Sequence, residues 1–270
     1  MSDDPGTELT VFHFDESRPS FEDLGVANGS RKWLESDLMV ALDYQNIQSF
    51  RRVVMRAQQA CLTLGIAIED NFERLGDGYK FTRFACYLIA MNGDPKKPQV
   101  AAAQAYFAAL AETFQTHLDH ANNIDRVLVR QEVTDGMKSL QSTAKSHGVA
   151  NYAFFVNQGY RGMYNMDLAR LLAIKRIDPK ETLFDRIGKE ELAANLFRIT
   201  QTEAKIKNDE IRGQGKLEAV AYEVGWKVRN TMLELSGTPP EQLPAAEPIQ
   251  SVKKRIKGTN KKFSSLDKKD

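Results

Sequence analysis

The sequence has no long apolar run and few cysteines and histidines. Its 270 residues include two cysteines and four histidines, and no apolar run approaches the roughly 20 residues that a membrane-spanning helix requires. The sequence therefore predicts no membrane partner. Cys61 and Cys86 both lie in apolar helical patterns, which indicates reduced thiols in a core. No catalytic triad can be proposed from so few candidates, and we expect neither a cofactor nor a bound metal.

The charges are unevenly distributed although they nearly cancel. There are 37 basic and 36 acidic residues, a net charge of +1. Residues 1–23 carry seven acids and one arginine, whereas residues 251–270 carry eight bases and two acids. Such ends are typical of disordered segments. The basic end would add salt-dependent affinity for DNA, or fold back against the acidic end. The acidic start is unlike a secretory signal and predicts a cytoplasmic protein.

A run without acids lies in the first half of the chain. Between Tyr44 and Ile68 there is no Asp or Glu. Apolar residues recur there with helical spacing on one face, and amides and arginines occupy the other. An exposed helix face with guanidinium and amide groups but no carboxylate suits a polyanion and the edges of bases. The alternative, left open by the pattern, is an ordinary amphipathic helix whose polar face is only solvated.

Helix and turn signals predict an α+β protein that is mostly α. Asn28-Gly29 predicts a small β-hairpin, a helical hairpin follows at 33–65, and the second half has helical patterns throughout. We divide the chain into an acidic, flexible segment at 1–21, a domain with the two hairpins at 22–120, a helical connector at 121–148, a helical C-terminal domain at 149–244 and a basic disordered tail at 245–270.

The main enzymatic candidate is Glu203-Ala204-Lys205, with Asp178 or Asp185 upstream. These are the residue types of a metal-dependent nuclease, which presents the Glu-x-Lys pair on a strand so that both side chains face one metal. Here the surrounding apolar residues repeat with helical period, which sends Glu203 and Lys205 to different faces. We therefore expect a protein that is not an enzyme, with the nuclease as a minor alternative.

Several segments resemble a known bacterial family. They are residues 83–88 (RFACYL), 92–98 (NGDPKKP), 102–107 (AAQAYF), 157–164 (NQGYRGMY), 191–203 (ELAANLFRITQTE) and 225–229 (GWKVR). Through them the chain is similar to the family of DNA damage-inducible protein D. The resemblance covers roughly residues 22–244 and is closest at 191–203. The first half also resembles the BRO-type N-terminal domain of viral and phage regulators.

The first resemblance implies a non-enzymatic protein of the SOS response to DNA damage that inhibits RecA-type recombinase filaments on single-stranded DNA. The second implies DNA binding. As partners we therefore expect DNA, single-stranded rather than duplex, and a recombinase filament, at a cytoplasmic, nucleoid-associated location. A homodimer is left open. The alternative is a sequence-specific transcription regulator of the phage antirepressor kind, which would bind a palindromic duplex site as a dimer.

Candidate contact residues fall in both halves. For nucleic acid they are polar residues of the basic helix and two bases beside it: Gln45, Asn46, Gln48, Arg51, Arg52, Arg56, Lys80 and Arg83. For a protein partner they are Tyr160, Arg161, Met163 and Tyr164, because Tyr and Arg dominate interface hot spots. The alternative for this second set is a segment packed into its own core.

Overall fold

The computed structural model describes residues 12–14, 17–28, 30–112 and 120–268. The strands in these ranges are β1 (Gly25–Asn28), β2 (Ser30–Leu34), β3 (Phe72–Leu75) and β4 (Gly78–Phe81). The α-helices are α1 (Glu35–Ala41), α2 (Ile47–Leu64), α3 (Arg83–Met91), α4 (Pro98–Glu112), α5 (His120–Ser146), α6 (Tyr152–Tyr164), α7 (Leu168–Ile174), α8 (Lys189–Asn208), α9 (Gln214–Ser236) and α10 (Ile249–Leu266). The predicted α+β fold with mostly α content is confirmed.

The chain divides into two compact units. Among the described residues, unit 1 comprises those up to Asp125 together with those from Lys253 onward, and unit 2 comprises Arg126–Val252. The predicted connector at 121–148 is indeed helical, and its residues are divided between the two units. Among the described residues, no helix is both long enough and apolar enough to cross a membrane.

Unit 1 contains one antiparallel sheet in the strand order β1-β2-β4-β3. Trp33 of β2 pairs in register with Phe81 of β4, which in turn pairs with Phe72 of β3. All three aromatic side chains are buried. Trp33 also stacks on Phe21 and donates its indole N–H to the Phe21 carbonyl oxygen at 2.6 Å. The aromatic side chains thus fix the sheet against the core.

The centre of unit 1 is α3, whose residues are apolar nearly all round. Thr82 caps it by accepting a hydrogen bond from the Ala85 N–H, as expected for a threonine at this position. All nine residues of α3 are buried. A helix without a solvated face belongs inside a domain, and this one packs against α2 and α4.

The ends of the chain differ from the prediction. Of the acidic segment at 1–21, residues 1–11 and 15–16 lie outside the described part, but Phe14 and Phe21 are buried. The prediction of a disordered tail at 245–270 is wrong for the described residues, which extend to 268, because 249–266 form α10. Ile249, Val252, Ile256 and Phe263 of α10 recur with helical spacing and are buried, with Phe263 against Tyr87. Burial of one apolar face is what orders the basic segment.

Unit 2 is helical and is built around the crossing of α6 and α9. Two glycines, Gly162 of α6 and Gly225 of α9, let the two backbones approach closely. A Cβ at Gly162 would lie 2.1 Å from the Tyr222 carbonyl oxygen, and a Cβ at Gly225 would lie 2.6 Å from the Gly159 carbonyl oxygen. Real Cβ atoms do not approach backbone this closely, so only glycine permits the crossing. Unit 2 therefore depends on residues without side chains at its centre.

Candidate nucleic-acid interface

Helix α2 carries the acid-free run. Asn46 caps its start, because the Asn46 side-chain oxygen accepts hydrogen bonds from the N–H groups of Gln48 and Ser49, at 2.8 and 3.3 Å. Gly65 ends it with φ of 64°, a left-handed conformation that glycine adopts without strain. The predicted role of Asn46 as a nucleic-acid contact thus competes with its capping role, since the cap occupies its side-chain oxygen.

The outward face of α2 has no carboxylate. Phe50, Val54, Ala57, Ala60, Cys61 and Leu64 are buried on the inner face. The exposed residues along the helix are Ile47, Gln48, Arg52, Met55, Arg56, Gln59 and Leu62. Gln45 is exposed just before the helix and donates its side-chain amide to the Asp43 carboxylate at 3.0 Å. The face predicted from the periodicity is therefore a solvent-accessible surface with donors and exposed apolar side chains.

Arg51 is only partly exposed and is held by other parts of unit 1. Its Nε and one NH2 group donate to the two carboxylate oxygens of Glu35, at 2.9 and 3.2 Å, and the same NH2 group donates to the Asp77 carbonyl oxygen. The Glu35 side chain is 6% exposed. A guanidinium held by a buried carboxylate in two hydrogen bonds is committed to the protein. The Arg51 side chain is nevertheless 41% exposed, so a nucleic-acid contact at Arg51 stays a prediction that requires its guanidinium to leave Glu35.

Arg52 and Arg56 remain at the surface. The Arg52 guanidinium donates only to the Ser49 hydroxyl, at 3.3 Å, and the structure gives it no carboxylate partner among the described residues. Arg56 is 61% exposed and lies 3.3 Å from Asp125. An ion pair this open to solvent is weak, so a phosphate could displace Asp125. Both guanidinium groups are therefore available to an anion.

The two predicted phosphate contacts outside α2, Lys80 and Arg83, differ in their accessibility to solvent. Arg83 is 1% exposed; its guanidinium donates to both carboxylate oxygens of Glu22 and, at 2.8 Å, to Asp267. The prediction of a phosphate contact at Arg83 is wrong, because this group is enclosed by the core. Lys80 is half-buried in β4, directly opposite Glu73 of β3. It stays a candidate, though one placed beside a carboxylate.

The four predicted partner residues lie on α6 in unit 2. Tyr160, Met163 and Tyr164 are buried, at 5%, 0% and 0% exposed. Arg161 is exposed. Tyr164 accepts a hydrogen bond from the Asn195 amide at 2.7 Å, and Tyr160 lies beneath the Arg198 guanidinium. The core alternative is correct for the three apolar and aromatic residues, and only Arg161 is placed to contact a partner.

The residue pair expected of a nuclease lies on a helix, as the periodicity predicts. Glu203 accepts hydrogen bonds from Ser139 and Thr143, at 2.8 and 2.9 Å, and from Lys207. Lys205 pairs with Asp209. Burial raises the pKa of the Glu203 carboxyl, but these hydrogen bonds outweigh it and leave the pKa below its usual value. Among the described residues, no three His, Cys, Asp or Glu side chains are grouped to hold a metal.

Cys61 and Cys86 should be inert in the folded protein. Both thiols are fully buried; burial raises the pKa of Cys61 to about 12 and that of Cys86 well above its usual value. Because the thiolate is the reactive form, we expect a chromogenic disulfide reagent to label neither thiol under native conditions and both in denaturant. Rapid native labelling of one thiol equivalent would contradict the packing of α2 or α3.

Comparison with known proteins agrees with this organisation. The model of the DinD C-terminal domain matches residues 120–254. DNA damage-inducible protein D of Escherichia coli (strain K12) is 35% identical over 272 residues, which cover 92% of this chain and 99% of that protein. The chain belongs to the DinD family. The DinD match covers all of unit 2, and the relative extends the DinD likeness through unit 1. The BRO-type resemblance of the first half stays a prediction.

The sequence predicts the positive charge of residues 245–270 but not their folding into a helix, α10. Lys254, Lys257 and Lys261 are exposed along this helix. The signal was present, since Ile249, Val252, Ile256 and Phe263 recur at helical intervals. The low overall apolar content of the segment concealed that periodicity.

Proposed function

We propose that this chain is a DNA-damage-response protein that binds single-stranded DNA through the outward face of α2 and modulates RecA-type recombinase filaments. The observation that carries the proposal is the pair of exposed guanidinium groups, Arg52 and Arg56, on a helix face with exposed amides and no carboxylate. Phosphate contacts from such a face supply affinity, and amides and apolar side chains supply contact to bases. Membership of the DinD family supports the damage-response setting.

The form of DNA is tested by fluorescence anisotropy with a labelled single strand, a palindromic duplex and a random duplex at several salt concentrations. We expect the single strand to bind most tightly, with little sequence preference and an affinity that falls steeply with salt. Preference for a palindromic duplex by a dimer would instead favour a transcription regulator. Absence of binding to all three at low salt would overturn the proposal. The same samples incubated with magnesium or manganese should show no cleavage.

Charge reversal on α2 gives the first quantitative prediction. The double variant Arg52→Glu, Arg56→Glu should weaken single-strand binding roughly tenfold to a hundredfold, because two phosphate contacts become repulsive. The matched control reverses two exposed bases of unit 2, Lys180→Glu and Lys216→Glu. Equal losses in both doubles would show that only net charge matters, and no loss in the α2 double would exclude this surface.

Asp125 provides a change in the opposite direction. If Arg56 must leave Asp125 to reach phosphate, Asp125→Asn should leave the fold intact and strengthen single-strand binding severalfold. A weaker affinity in this variant would show that the ion pair at 3.3 Å positions Arg56 for binding, not that it competes with phosphate.

Modulation of a recombinase is tested separately from DNA binding. Added to a preformed recombinase filament on a single strand, the chain should lower the DNA-dependent ATP hydrolysis and strand exchange of the filament. The α2 double variant should lose this effect if DNA contact is required for it. An unchanged filament at saturating protein would remove the recombinase from the proposal and leave single-strand binding to stand alone.

A further inference from the structure

The exposed lysines of helix α10 lie on one side of it. Its sequence contains six bases and no acid. Lys254, Lys257 and Lys261 are exposed, and because an α-helix turns through about 100° per residue, the three fall within an arc of about 60°. The structure gives none of the three a carboxylate partner among the residues it describes. The three lysines, which we call the α10 lysine face, therefore form a concentrated positive surface.

The other side of α10 is already occupied. Ile256, Thr259 and Phe263 are buried in unit 1, where the centroid of the Phe263 ring lies 5.7 Å from that of the Tyr87 ring. An amphipathic helix that binds a bilayer inserts its apolar side between the lipids. Here that side is covered by protein, so what α10 offers to a partner is charge. Charge alone suits the sugar–phosphate backbone of a nucleic acid better than a membrane.

The α10 lysine face is continuous with α2. A Cβ built on Gly65, at the end of α2, would lie 3.6 Å from the Lys257 ammonium nitrogen. The C-terminus of a helix carries a partial negative charge, which favours a cation there. Both α2 and the lysines of α10 belong to unit 1. Neither α2 nor α10 contains an Asp or Glu, and the two helices meet at this point.

We infer that the α10 lysine face is a second phosphate-binding surface, which takes the strand leaving α2. The inference rests on the proposed function, because it assigns a further part of the same binding surface. In this arrangement α2 contacts phosphates and bases, whereas α10 contacts phosphates alone. Its contribution is therefore electrostatic and independent of base sequence.

The test replaces Lys254, Lys257 and Lys261 with glutamine and measures the salt dependence of binding to a single-stranded oligonucleotide. Each phosphate contact on a single strand contributes about 0.7 to the slope of log affinity against log salt. The triple glutamine variant should therefore lose about 2 from that slope, with the same loss for different base sequences. The triple arginine variant should keep the slope, and circular dichroism should show that both variants stay folded.

The control carries the same charge change on unit 2, as Lys145→Gln, Lys180→Gln and Lys216→Gln, which are exposed lysines. It should keep the slope. If the α10 variant also keeps it while the α2 double variant loses binding, the inference is overturned and the proposed function stands. If the α2 double variant binds normally, the proposed function fails by itself. Binding of the α10 lysine face to phosphatidylserine vesicles without a change in the DNA slope would also overturn the inference.

Discussion

Gly162→Ala should destabilise unit 2 by about 3 kcal/mol or more, which is at or above the upper end of the usual cost of overpacking. The added methyl group would lie 2.1 Å from the Tyr222 carbonyl oxygen and 2.9 Å from the Trp226 backbone nitrogen. Both are backbone atoms of α9, which cannot move aside as a flexible side chain can. Helices α6 and α9 must separate. Differential scanning calorimetry should show a fall of roughly 10 °C in the melting temperature of unit 2.

The control for this result is Gly215→Ala in the first turn of α9. A Cβ there meets nothing within 4 Å. The free energy of unfolding should therefore stay within about 0.5 kcal/mol of the parent's, with a correspondingly small change in melting temperature. A Gly162→Ala protein that melts like the Gly215→Ala protein would contradict the close crossing of α6 and α9.

Arg83→Met should be the most damaging substitution in unit 1. Removing one partner of a buried ion pair costs about 3–5 kcal/mol, because the remaining charge is left without compensation. Here one guanidinium serves two carboxylates, Glu22 and Asp267, and also lies 4.9 Å from the Trp33 ring centroid. Chemical denaturation at neutral pH should show a large loss of unfolding free energy with no loss of helix content in unit 2.

The loss should depend on pH in a definite direction. Burial raises the pKa of the Glu22 carboxyl, but hydrogen bonds from Arg83, Arg31 and Tyr106 outweigh it, so the pKa lies below its usual value. This stabilisation is present above the usual carboxyl pKa and is lost as the pH falls through the lowered value. For Asp267 burial outweighs Arg83 and raises the pKa. The contribution of Asp267 to stability is therefore most favourable at low pH, and it is lost as the pH rises through the raised pKa.

In the Arg83→Met variant both carboxyls lose the guanidinium, although Glu22 keeps Arg31 and Tyr106. Burial then favours the neutral forms of both carboxyls more strongly. The difference in stability from the parent should therefore be largest at neutral pH and shrink towards about pH 4, where the carboxyls protonate. The triple variant Glu22→Gln, Arg83→Met, Asp267→Asn should recover much of the loss at neutral pH. A loss that is the same at both pH values would show that packing, not charge, is what Arg83 supplies.

Local sequence signals predicted the secondary structure well. Thr82 and Gly65 are residue types typical of helix caps and act as caps, and the helical patterns of the second half appear as helices such as α8, Lys189–Asn208. These features depend on neighbours in sequence, so one chain suffices to infer them. The order of α10 was missed for a related reason. The helical periodicity of α10 is visible in the local sequence. The apolar surface of unit 1 against which α10 packs is formed by residues that are distant in sequence.

Local signals do not predict which charged side chains form ion pairs and which stay exposed. Arg51, Arg52 and Arg56 share one acid-free helix, yet only Arg51 is bound by a buried carboxylate, from Glu35 in the preceding helix. Arg83 meets an acid 184 residues further along the chain. Long-range pairing of this kind follows from tertiary packing and leaves no trace in local periodicity. The burial of Tyr160 and Tyr164 could not be predicted either, because a tyrosine side chain suits a core and an interface equally.

The most direct test of the central claim is to ask which residues touch DNA. A photo-crosslinking amino acid is placed at Gln59 on the outward face of α2 or, as a control, at Gln201, an exposed residue of α8 in unit 2. After irradiation with a labelled single strand, the protein substituted at Gln59 should become covalently attached to DNA and the one substituted at Gln201 should not. Attachment at Gln201 without attachment at Gln59 would contradict the assignment of α2 as the binding surface.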